Sequence, residues 1–108
     1  MNSRQKGARG ERELANVLKS YGYEDSRRGQ QYCGSNGDAD VVGLSGIHIE
    51  CKRVEKLNLE KAMEQAEHDR KEQEKAAVFH RKDRKPWLVT MKLEDWIELF
   101  QAYEKQIQ

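Results

Sequence analysis

Residues 46–52 constrain the fold of this chain more than any other segment. Ile47, Ile49 and Cys51 alternate there with His48, Glu50 and Lys52. Successive side chains of a strand point to opposite faces, so this period of two predicts a strand with one apolar face, and Glu50 and Lys52 project together from the other. The residues before it say how the chain arrives. Gly37 opens the run Asp38-Ala39-Asp40-Val41-Val42, and a turn from Gly43 to Gly46 closes it, which predicts a hairpin joining residues 39–44 to 47–52. Such a hairpin lays Asp40 near Glu50. Asp38 has the same parity but sits nearer the Gly/Ser/Asn-rich loop, where a turn role suits it better.

Residues 6–21 carry Leu14, Val17, Leu18 and Tyr21 at helical spacing and stop at Gly22, a natural helix terminator. Glu11 lies three and seven residues before Leu14 and Leu18 and falls on that inward stripe, whereas Glu13 falls off it and reads as solvated. A carboxylate on an inward face needs a partner; a metal ion or Lys52 would serve. Further on, Asn58 can cap a helix with the stripe Leu59, Ala62, Met63 and Ala66, and charged residues carry the pattern toward Lys75. Residues 76–80 and 87–91 read as strands around the charged turn 81–85, and Leu93, Trp96, Ile97, Phe100 and Tyr103 predict a last amphipathic helix. With a weak strand in 23–28, the order is helix, three strands, helix, two strands, helix. This predicts a single α/β domain over residues 1–108, a mixed sheet of about five strands flanked by helices.

Asp40, Glu50 and Lys52 point to metal-assisted phosphodiester hydrolysis. Carboxylates so placed can hold a hard divalent cation through oxygen, and an ammonium two residues along the same face can orient or activate a water beside it. His48 shares that face but reads as a partly exposed strand histidine. Gln65, off the apolar stripe of its helix, is a weak candidate to face the same site.

Charge is segregated rather than abundant. The formal net charge is only +1, so a globally basic nucleic-acid signature is missing. Basic residues gather instead at Arg4, Lys6, Arg9 and Arg12, at Arg27 and Arg28, and from His80 to Lys85. Cys33 and Cys51 are too few for a zinc site, and neither a secretory nor a transmembrane segment is evident, which predicts a reduced, cytoplasmic protein with Cys51 as a small core residue. A domain this small, with its aromatics concentrated in the second half, has reason to self-associate.

Taken in order, Lys6-Gly7-Ala8-Arg9-Gly10-Glu11-Arg12-Glu13-Leu14, Gly22-Tyr23, Arg27-Arg28, Gly34-Ser35, Asp40-Val41-Val42-Gly43 and Ile49-Glu50-Cys51-Lys52 resemble the archaeal-type Holliday junction resolvases of the PD-(D/E)XK nuclease superfamily. The resemblance covers the first half of the chain and thins after Arg53; Ala39 stands where many superfamily members carry proline. It implies a restriction-endonuclease-like sheet and a catalytic cluster of Glu11, Asp40, Glu50 and Lys52, the three carboxylates being the metal ligands. It also implies Mg²⁺ dependence with Mn²⁺ able to substitute, and a homodimer that cuts branched DNA. The segregated basic residues Arg9, Arg12, Arg27, Arg28, Arg81 and Lys82, with Ser35 in the loop before Asp40, are the expected DNA contacts. Short stand-alone proteins of this kind are also carried by bacterial viruses. Two rival functions share these residues: a nuclease acting on duplex, flap or single-stranded DNA, and a DNA-binding module without catalysis.

Overall fold

The computed structural model describes residues 3–30 and 39–108; Cys33, Ser35 and Asp38 lie outside them. Helix α1 (Ser3–Ser20) leads through β1 (Arg27–Arg28) and β2 (Val41–Val42) to β3 (Ile47–Arg53). Helix α2 (Leu59–Asp69), β4 (Lys75–Arg81), β5 (Leu88–Met91) and α3 (Leu93–Ile107) follow. The five strands form one sheet in chain order. Strand β3 pairs parallel with β4, and the remaining neighbours are antiparallel. The parallel step is the one that needs a crossover helix, and α2 supplies it. This is the mixed α/β sheet that the hydrophobic pattern predicts.

The period-two pattern of β3 sorts the two faces. Ile49 and Cys51 join Val41, Ala77 and Phe79 beneath Leu14, Ala15 and Leu18 of α1, while Ala76 and Val78 pack under Ala62 and Ala66 of α2. Ile49 and Val41 are completely buried and pair directly. Burying side chains of this size stabilises by about 1.5–3 kcal/mol each, so a one-residue slip that turned Ile49 outward is strongly disfavoured. Register is thereby fixed for every polar residue on the other face.

Helix α1 ends as its terminal glycine predicts. Gly22 takes φ 101°, its amide donates to Lys19 O at 2.9 Å, and the Tyr23 amide donates to Leu18 O at 3.1 Å, the paired bonds of a Schellman motif. Tyr21, expected on the inward stripe, is exposed, and Ala15 takes the buried position instead. Gly43, at φ 133°, tolerates no side chain: a Cβ there would meet Ser26 Oγ at 2.4 Å.

Helix α2 starts where expected, with Asn58 Oδ1 accepting from the Lys61 amide at 3.1 Å. It stops at Asp69 rather than running on toward Lys75. The Arg70 guanidinium reaches the carbonyls of Lys71, Glu72 and Glu74, and the Lys75 amide donates to Gly46 O to begin β4. Helix α3 forms as predicted, but none of its residues is buried, and it makes only marginal contact with the other elements.

Candidate active site

Asp40 stands immediately before β2, its amide donating to Ile49 O at 3.0 Å. Because Val41 pairs with Ile49, one step along the antiparallel ladder puts Asp40 opposite Glu50. The Cys51 amide donates to Asp40 Oδ2 at 2.9 Å and holds the carboxylate in place. The Glu50 carboxyl lies close enough to Asp40 to be acted on by its charge, and Lys52 Nζ lies 3.6 Å from Glu50 Oε1. The hairpin thus brings Asp40 to the two residues, Glu50 and Lys52, that strand parity had put on one face.

Glu50 bears the electrostatic consequence. Its side chain is 9% exposed, and burial, reinforced by the charge of Asp40, pushes its pKa up to about 8 against the weaker pull of Lys52. Two carboxyls that cannot both ionise cheaply form an anionic, all-oxygen donor set. That is what a hard divalent cation requires, so the residues present fit one.

Glu11 approaches from α1. Its side chain is 15% exposed and accepts from Arg28 Nε at 2.9 Å. Burial raises its pKa; the Arg28 hydrogen bond opposes this, the Asp40 charge adds to it, and Arg28 and Lys52 offset it further. What brings the helix in is Gly10, where a Cβ would stand 2.6 Å from Arg53 Cβ. Glu13, expected in solvent, instead bridges Arg81 Nη1 and Arg53 Nε, and Arg53 also reaches Asp83 at 3.3 Å. It lies one turn on from Gly10, the point of closest approach, and that spacing is the signal that could have placed it.

The predicted DNA contacts divide. Arg9, Arg12, Arg27, Arg28 and Lys82 are exposed, with Arg28 shared with Glu11. Arg81 is engaged by Glu13 and by the carbonyl of Lys85. Cys51 is a core residue as expected, and burial first, then the surrounding carboxylates, pushes its thiol up and away from thiolate chemistry.

Two features escaped the sequence. His48 is buried, with its side chain 5% exposed, because β3 carries α2 on that face. Asp69, at the last turn of α2, brings a carboxylate to the same place: ligand atoms of His48, Glu50 and Asp69 all lie within 4.8 Å of one another. Gln65 does not approach Lys52; its amide donates to Asp69 Oδ2 at 2.5 Å.

A mixed five-stranded sheet that sets Asp40, Glu50 and Lys52 together, with a helical glutamate nearby, is the arrangement expected of a PD-(D/E)XK nuclease. Residues 2–108 match the model of the family described as "Phage putative PDDEXK endonuclease". The chain belongs to that family, and DNA is the substrate that membership implies. No curated protein and no solved structure matches it. Among the described residues, no helix is long and apolar enough to cross a membrane.

Proposed function

We propose that residues 1–108 act as one Mg²⁺-dependent endodeoxyribonuclease domain, in the cytoplasm, and that a homodimer of it cuts four-way DNA junctions, with Mn²⁺ able to replace Mg²⁺. The meeting of the Asp40 and Glu50 carboxyls beside Lys52 carries this reading. Asp40 and Glu50 would hold the cation through oxygen, with Glu11 joining them directly or through water. When bound, the cation polarises a phosphate oxygen and lowers the pKa of water. Lys52 orients the attacking water and offsets the charge that develops on the phosphate. Arg9, Arg12, Arg27 and Lys82, all exposed, meet backbone phosphates, which positions DNA without reading its sequence.

The junction as substrate and the dimer rest on the resemblance of the first half of the chain and on the uncovered apolar stripe of α3. An isologous pair would present two sites related by the two-fold symmetry of a four-way junction.

Cleavage of a labelled four-way junction beside its component duplexes, with and without Mg²⁺, tests the proposal. Paired incisions confined to the junction are expected, and Asp40→Asn or Glu50→Gln should abolish them while leaving DNA binding in place. Equal cutting of junction and duplex would assign the same residues to a nuclease for duplex, flap or single-stranded DNA. Binding without cutting under any divalent cation would leave a DNA-binding module.

A further inference from the structure

Next to the Asp40–Glu50 pair, the same face of β3 carries a histidine for which the hydrolytic reaction has no use. The His48 side chain is 5% exposed, and its ring borders an open pocket rather than being sealed in the core. Its nearest charged partner is Glu74, whose Oε1 stands 3.6 Å from Nδ1, beyond hydrogen-bond reach. The ring lies beside two carboxylates, Glu50 from its own strand and Asp69 from α2.

Asp69 is itself an unusual residue for its position. A carboxylate in the last turn of a helix faces the negative end of the helix dipole, where a cation is favoured instead. Both its oxygens are nonetheless pinned, Oδ2 by the Gln65 amide and Oδ1 by His68 Nδ1 at 3.0 Å. Carboxylates that ligate metals are commonly oriented by such neighbours. His48 and Asp69 also line one open pocket together with Arg70 and Glu74, which gives an ion a route from solvent. Arg70 does not neutralise the site, because its guanidinium is turned to Glu67 and to the carbonyls of Lys71, Glu72 and Glu74.

We propose that His48, Glu50 and Asp69 form a second cation site, selective for a borderline ion such as Zn²⁺ over Mg²⁺, which shares Glu50 with the catalytic pair and inhibits cleavage when filled. An imidazole nitrogen with two carboxylate oxygens is a donor set that suits Zn²⁺, whereas Mg²⁺ prefers oxygen alone. Four-coordinate Zn²⁺ with bonds near 2.0–2.1 Å places its ligand atoms roughly 3.4 Å apart. The ligand atoms lie within 4.8 Å of one another, so an ion would draw His48 and Glu50 in toward the held Asp69. The site is distinct from the Asp40–Glu50 site in using His48 and Asp69, while its inhibitory consequence rests on the nuclease reading, since it acts by drawing Glu50 away from Asp40.

Calorimetry with Zn²⁺, together with the visible absorption of bound Co²⁺, tests the site without reference to cleavage. The wild-type chain should take up one ion, and His48→Gln and the surface variant Asp69→Asn should each weaken binding by at least about tenfold. Asp40→Asn should abolish Mg²⁺-dependent cleavage and keep Zn²⁺ binding. In cleavage assays with Mg²⁺, added Zn²⁺ should inhibit the wild type, and His48→Gln should cut normally and resist that inhibition. Wild-type affinity in both His48→Gln and Asp69→Asn, or loss of Zn²⁺ binding in Asp40→Asn equal to that in His48→Gln, would overturn the site and leave the nuclease untouched. Zn²⁺ binding that depends on His48 in a protein that never cuts DNA would keep the site and remove the nuclease reading.

Discussion

Glu50 shows how a residue of the proposed site weighs on the fold. Its carboxyl titrates near 4.5 in the unfolded chain and at about 8 in the folded one, so between those values the folded state binds the extra proton. Stability therefore falls as pH rises through that window, and a bound cation restores it. Glu50→Gln removes the ionisation, and the cation-free variant should melt above the cation-free wild type at pH 8, with the gap closing by pH 5. Each 1 kcal/mol corresponds to roughly 4–8 °C in a small domain, so a thermal melt at the two pH values resolves the effect; a gap that does not depend on pH would contradict it. In the proposed mechanism Lys52 bears on rate instead. Lys52→Ala should lose on the order of 10²-fold in turnover while calorimetry shows Mg²⁺ binding retained, and an unchanged rate would remove Lys52 from the mechanism. The proximity of Asp40, Glu50 and Lys52 was legible because strand parity and a short hairpin turn are local information. His48 and Asp69 were not, because their proximity depends on where α2 ends and how it lies over β3.

Among the elements, α1 depends on one glycine. Alanine is better than glycine in a helix by about 1 kcal/mol, so Gly7→Ala, where an added Cβ meets nothing within 4 Å, should stabilise the protein by up to that amount. Gly10→Ala should do the reverse, since its Cβ would stand 2.6 Å from that of Arg53 and push the helix off β3. Urea denaturation of the two variants separates propensity from packing, and Gly10→Ala should also lose cleavage because Glu11 is the next residue on the displaced helix. Stabilisation of both variants alike would show that the approach at Arg53 is not tight. Helix α1, its stop at Gly22 and the β2–β3 hairpin were readable from periodicity and turn residues. The end of α2 was not: residues 67–75 hold neither Gly nor Pro, and the helix gives way to a turn in which Arg70 Nη1 donates to three carbonyls and to the parallel pairing of β4 beside β3, the latter a product of tertiary structure.

At the scale of the whole molecule, α3 leaves the fold incomplete. Leu93, Trp96, Ile97, Phe100, Tyr103 and Ile107 are all exposed, and Leu88 and Val89 of β5 add to the apolar surface. Trp96 and Phe100 stack at 5.2 Å and Phe100 meets Tyr103 at 6.0 Å, so the stripe is already ordered for contact and would lose little side-chain entropy on being covered. The periodicity of residues 93–103 predicted the helix correctly, yet such a stripe looks the same in sequence whether its own domain or a partner covers it. A second copy is the occupant consistent with the proposed paired cut, because an isologous contact buries the same stripe on both chains. Light scattering at micromolar concentration should give the mass of a dimer. Phe100→Glu places a charge in the centre of the stripe and should yield a monomer, while circular dichroism stays that of the wild type because Phe100 supports no buried core. That monomer should still nick DNA at its single site and lose coordinated incision of opposite strands. A wild-type protein that stays monomeric with junction DNA present would sink the paired mechanism and leave a nuclease that cuts one strand at a time.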